Sequence, residues 1–121
     1  MTTFDVEIVL KGHDSAVTEK ASVAHGKPAT WDAAAVRDVL VAILRAIARA
    51  ENPNVAPDQL VVLRGFSWIV EPVEGEVVIA IEIPMGAAVA GPFAIGQSEL
   101  DAMIGRVLRA ERPMATSQTV H

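Results

Sequence analysis

Alternation with a period of two opens the chain. In FDVEIVLK, residues 4 to 11, Phe4, Val6, Ile8 and Leu10 share one side, and Asp5, Glu7, Val9 and Lys11 share the other. This is the pattern of a half-buried strand. Gly12-His13-Asp14-Ser15 follows as a turn cluster. Residues 17 to 24, VTEKASVA, fit two periods. Val17, Ala21 and Val23 would share a strand face, whereas Val17, Ala21 and Ala24 would share a helix face. The Thr and Val content and the short connection favour a strand pairing back on the first.

The period then changes. Val36, Val39, Leu40, Ile43, Leu44 and Ile47 recur at helical spacing and predict an amphipathic helix. Thr30 is the expected N-cap, with Asp32 at the positive end of the dipole and Arg45 and Arg49 toward the negative end. Asn52-Pro53 ends it. A second helix is expected from Ser98, with an apolar stripe of Leu100, Met103, Ile104, Val107 and Leu108 and a stop at Pro113. Asp101, three residues after Ser98, resembles a capping box.

Between the helices, residues 60 to 71 and 76 to 84 read as the arms of a hairpin turning at Val73-Glu74-Gly75-Glu76. Pairing Val73 with Glu76 sets Ser67 opposite Glu82. One face then collects Phe66, Trp68, Val70, Val77, Ile79, Ile81 and Ile83, and the other Ser67, Ile69, Glu71, Glu76, Val78, Ala80 and Glu82. A slip of one residue would bury the glutamates, so the register is well specified. GAAVAGPFAIG, residues 86 to 96, reads as a Gly/Ala-rich connection. The expected architecture is α+β: a small antiparallel sheet with two amphipathic helices on one face, in the order β-(β)-α-β-β-α. Residues 1 to 113 form one domain, and residues 114 to 121 read as a flexible tail.

Composition narrows the chemistry. The 121 residues include no cysteine, which removes disulfides, thiolate nucleophiles and Cys-based metal sites and suits a reducing, cytoplasmic setting. MTTFDVEIVLKG lacks the basic leader and unbroken apolar run of a signal peptide. The longest weakly polar run, Ile83 to Gly96, holds two prolines and three glycines, so no membrane span is expected. The formal net charge is −5. Residues 52 to 98 carry Arg64 against Asp58, Glu71, Glu74, Glu76 and Glu82, so no basic stripe offers itself to nucleic acid.

Candidate chemistry is sparse. Glu82 stands among isoleucines opposite Ser67 and is a candidate general acid or base; a solvated strand glutamate is the plainer reading. His13 beside Asp14 is a second candidate, though turn residues of this kind are usually only solvated. The three histidines show no HxH or HExxH spacing, and no metal or cofactor is expected. Glu71, Glu74 and Glu76 crowd a hairpin tip without the spacing of a calcium loop. GAAVAGPFAIG lacks the patterns of phosphate-binding loops. Trp31, beside a loop, is a candidate for stacking on a ligand, with packing on the sheet edge as the ordinary alternative.

The second sheet face is the most informative feature. It mixes Asp5, Glu7, Lys11, Ser67, Glu71 and Glu82 with Val9, Val61, Leu63, Ile69, Val78 and Ala80. Solvated faces of antiparallel sheets are usually more polar, so a covering is expected. The expectation is an oligomeric or accessory protein-interaction module, a two-fold dimer first, with Val9, Ile69, Val78 and Ala80 in the interface. Another protein partner is the variant of this reading. The alternative is a small isomerase-like or lyase-like enzyme or binder with a cavity around Glu82.

Overall fold

The computed structural model describes residues 1–56 and 60–111, and these form one sheet and two α-helices. In chain order they are β1 (Thr2–Leu10), β2 (Val17–Val23), a 3-10 turn (Pro28–Thr30), α1 (Ala33–Glu51), β3 (Ser67–Val73), β4 (Glu76–Ile83), β5 (Gly86–Phe93) and α2 (Gln97–Ala110). The sheet runs β2-β1-β5-β4-β3 and every pairing is antiparallel. A hairpin, a helix, a three-strand meander and a second helix thus make an α+β fold with both helices on one face. The expected tail from Met114 lies outside the described residues.

Burial follows the alternation. Phe4, Val6, Ile8 and Leu10 of β1 are buried, and so are Val70 of β3 and Val77, Ile79 and Ile81 of β4. The apolar stripes of α1 and α2 close over them: Val36, Val39, Leu40 and Ile43, then Leu100 and Ile104, have almost no exposure. Trp31, Phe93 and Phe4 form an edge-to-face row with centroids 5.2 and 5.1 Å apart. This geometry sets the positive ring edge on the negative face of its neighbour. No polar or charged residue is buried among the described ones. Arg37 Nε donates to Glu111 Oε2 at 2.8 Å and ties the start of α1 to the end of α2. That hydrogen bond and charge raise the Arg37 pKa.

The expected hairpin is present in the expected register, with Val73 opposite Glu76 and Ser67 opposite Glu82. Glu74 and Gly75 both have positive φ, 48° and 86°, as a two-residue turn of the I′ type requires. Residues 17 to 23 are a strand. The structure departs from the expectation at three other places.

Residues 86 to 93 are not a connection but β5, the central strand, between β1 and β4. The sheet therefore has one strand more than expected. Gly86 makes this possible. Its φ is 157°, and a Cβ there would lie 2.2 Å from the Val9 carbonyl oxygen. The two backbones approach too closely for any side chain. Second, the first arm of the β3–β4 hairpin is shorter than expected and begins at Ser67. Leu63, expected on the second face, is buried in the core instead.

Third, the helix caps shift. Asp32, not Thr30, caps α1, accepting from the Ala35 amide at 2.9 Å. The Thr30 hydroxyl instead donates to the Lys27 carbonyl in the 3-10 turn. Gly96 precedes the first turn of α2, which begins at Gln97 rather than Ser98.

Candidate functional site

The helices cover one side of the sheet and leave the other open. Strand registers arrange the open side in transverse rows. One row reads Lys20, Asp5, Gly91, with Val78 and Glu71 continuing it past a bulge in β5 between Ala90 and Phe93. The next reads Thr18, Glu7, Val89, Ala80 and Ile69, and the third Val9, Ala87, Glu82 and Ser67. Val9, Ile69, Val78 and Ala80 all belong to this face, as their alternation requires.

β5 adds what the sequence reading lacked. Ala87 and Val89 sit at the centre of the open face and join the valine of β1 to the apolar residues of β4 and β3. The result is an unbroken apolar stripe across four strands: Val9, Ala87, Val89, Ala80, Val78 and Ile69. Val9 and Ile69 are each about half exposed, at 48% and 52%. The stripe is therefore accessible surface and not a second core. Glu71 and Glu82 fringe it and Glu7 stands beside Val89, and among the described residues none of the three has an ion-pair partner. Asp5 does have one, in Lys20 Nζ at 2.7 Å.

Ser67 and Glu82 do come together, side by side on neighbouring strands. With Ile69, Ala80, Ala87 and Val89 they line a depression of about 260 Å³. Both residues are exposed. Lys11 and Glu82 line a second depression with Val9 and Ala87 at the adjoining end of the face. His13 is exposed in the β1–β2 turn, where its backbone amide donates to Leu10 O at 3.0 Å.

Trp31 is placed away from solvent. It is 5% exposed, its Nε1 donates to the Gly26 carbonyl at 3.0 Å, and its ring packs on Phe93. Among the described residues no three His, Asp or Glu side chains converge to hold a metal ion. No described helix is long and apolar enough to cross a membrane.

A groove of about 650 Å³ between β2 and α1 has no counterpart in the sequence reading. Lys20, Asp38, Arg45 and Arg49 line it. Its charges already serve one another: Arg49 Nε meets Glu19 Oε1 at 3.2 Å, and His25 Nε2 meets Asp38 Oδ2 at 2.8 Å. On a linear chain these residues look like the ordinary polar face of a helix, so no signal marked the groove.

Both sheet edges are blunted. Arg49 Nη2 reaches the Lys20 carbonyl of β2 at 3.4 Å. Gln97 Nε2 donates to the Val70 carbonyl of β3 at 2.9 Å, and Pro72 removes an amide donor from the same strand. Occupied carbonyls and an edge proline are common devices against strand-to-strand addition. Comparison with protein-family models, curated proteins and solved structures finds no match for this chain.

Proposed function

We propose that the protein is an association module that pairs with a second copy through its open sheet face. The observation that carries this reading is the apolar stripe from Val9 to Ile69, exposed on the side opposite the helices while both edges are blunted. Five strands about 4.8 Å apart, each with roughly seven residues rising about 3.4 Å, make a face of about 24 by 24 Å. A standard interface takes about 800 Å² of accessible surface per partner, so the face is of the right scale once side-chain relief is included. Full burial of an exposed valine or isoleucine contributes about 1.5–3 kcal/mol; Val9, Val89 and Ile69, the largest contributors here, are already about half buried and would each add about half of that. Glu71 and Glu82 fall at the fringe of the stripe, where they keep water or meet cations, which avoids the cost of an unpaired buried charge; Glu7 stands in the central row beside Val89, and its desolvation is a cost the apolar contacts must exceed.

Light scattering on the full chain tests the reading. The expected mass is twice that of the chain. Ile69→Lys sets a charge in the stripe and is expected to give a folded monomer with an unchanged circular dichroism spectrum. A monomeric wild-type chain at high concentration, or an Ile69→Lys variant that assembles as before, would overturn it.

The enzyme reading around Glu82 rests on one observation, the Ser67–Glu82 pair in the 260 Å³ depression. The same residues lie under a second copy in the association reading. Geometry favours association, because the depression is a shallow part of a broad apolar surface.

A further inference from the structure

We infer that the two copies are related by a two-fold axis running along β5, so that β2 of each copy lies over β3 of the other and Lys20 faces Glu71 of the second copy. The inference rests on the association reading and adds the orientation. In the aligned class of sheet packing, strands of the two sheets keep within about 30° of one another. That class offers two ways to turn a second copy over the apolar stripe: about an axis along the strands, or about an axis across them.

The charged residues separate the two. An axis across the strands, centred on the row Thr18, Glu7, Val89, Ala80, Ile69, returns each strand over itself. Glu7 then meets Glu7 of the second copy at the middle of the interface. Glu82 lies over Val78 and Glu71 over Ser67, with no cation near either. Like charges opposed in this way are a strong bar to a pairing.

An axis along β5 exchanges the two halves of the sheet. The row Lys20, Asp5, Gly91, Val78, Glu71 then lies over its own reverse, and Lys20 comes over Glu71. In the row Val9, Ala87, Glu82, Val9 comes over Glu82, and Lys11, in the turn just past the end of β1, comes beside it. Val89 meets Val89 and Ala87 meets Ala87 on the axis, so the apolar centre is self-complementary. Glu7 lies over Ala80, away from its own copy. Lys20 already holds Asp5 at 2.7 Å and is 74% exposed, so its ammonium has donors left for a second carboxylate.

Two full-length variants test the orientation. Lys20→Glu sets two glutamates against each other in its own dimer, and Glu71→Lys sets two lysines. Each variant alone is expected to dimerise about tenfold more weakly, because symmetry reverses two pairs at once. Mixing the two variants restores opposite charges at both contacts. The introduced glutamate of one lies over the introduced lysine of the other, and the unaltered Lys20 lies over the unaltered Glu71. Native mass spectrometry should therefore show mainly the mixed dimer. Both sites are exposed, and thermal melts should confirm that each variant folds.

A second measurement does not depend on charge. The chain has no cysteine, so Lys20→Cys combined with Glu71→Cys introduces the only thiols. Within one copy the two positions are four strand spacings apart, about 19 Å. Across the interface, sheets packed face to face stand about 10 Å apart, beyond the Cα separation of roughly 7 Å that a disulfide spans but within reach of a short bis-maleimide that cannot bridge about 19 Å. Treatment with such a linker should therefore give a covalent dimer on a denaturing gel.

A wild-type dimer whose variants mix at random and whose cysteines do not cross-link would overturn the orientation and leave the association reading standing. A monomeric wild type would overturn both.

Discussion

Gly86→Ala is the most severe single-methyl change the fold offers. The added Cβ would stand 2.2 Å from Val9 O, 2.9 Å from Leu10 Cα and 3.1 Å from Val9 C. All three atoms are backbone, so no side chain can rotate away. The strands β1 and β5 must separate by roughly 1 Å at this end to restore ordinary contact, which is near 3.5 Å for carbon atoms. The separation threatens the neighbouring bond from the Lys11 amide to Met85 O, now 2.7 Å. Overpacking costs about 1–3 kcal/mol, and one lost hydrogen bond adds about 0.5–1.5 kcal/mol. The expected loss is therefore about 2–4 kcal/mol.

Gly75→Ala is the matched control. Its φ is also positive, 86°, but nothing lies within 4 Å of the added Cβ. Only the left-handed backbone is penalised there, by about 1–2 kcal/mol. Urea unfolding at one fixed protein concentration compares the two. With m near 1–3 kcal/mol/M, Gly86→Ala should lower the midpoint by about 1 M or more, and Gly75→Ala by distinctly less. Equal midpoints for the two variants would mean that β5 does not lie against β1 as described.

Two further stability predictions follow from burial and capping. Ile81→Ala should cost about 2–5 kcal/mol as a core truncation, since Ile81 is buried, while Glu82→Ala on the open face should cost under about 1 kcal/mol; comparable urea midpoints would contradict the face assignment. Asp32→Ala should cost about 1 kcal/mol through the lost N-cap, and Thr30→Ala less, because Thr30 caps no α-helix. Thermal melts of both variants check the order.

The open face was partly legible in the chain. Val9, Ile69, Val78 and Ala80 fell on it by alternation alone, because a strand directs successive side chains to opposite sides. Ala87 and Val89 did not, although they complete the stripe. Their segment contains Gly86, Gly91 and Pro92, residues that normally argue against a central strand, and alanine gives alternation little contrast. The Ser67–Glu82 pair was readable because a two-residue turn fixes a hairpin register. The blunted edges were not, since Arg49 and Gln97 reach β2 and β3 from positions 27 or more residues away in sequence.

The sequence alone determined the α+β class, the hairpin register and the two helix faces. Each of these rests on a local period or on a turn whose geometry a few adjacent residues enforce. Only the tertiary structure decided that β5 is a strand and that it joins β1 to β4. Its Gly86, Ala88 and Ala90 are too small to announce a strand by hydrophobicity. Gly86 has no room for a Cβ because the β1 backbone passes against it, and Ala88 and Ala90 are buried in the core. That requirement comes from residues far away in the chain, β1 at its start among them, and no local pattern can carry it.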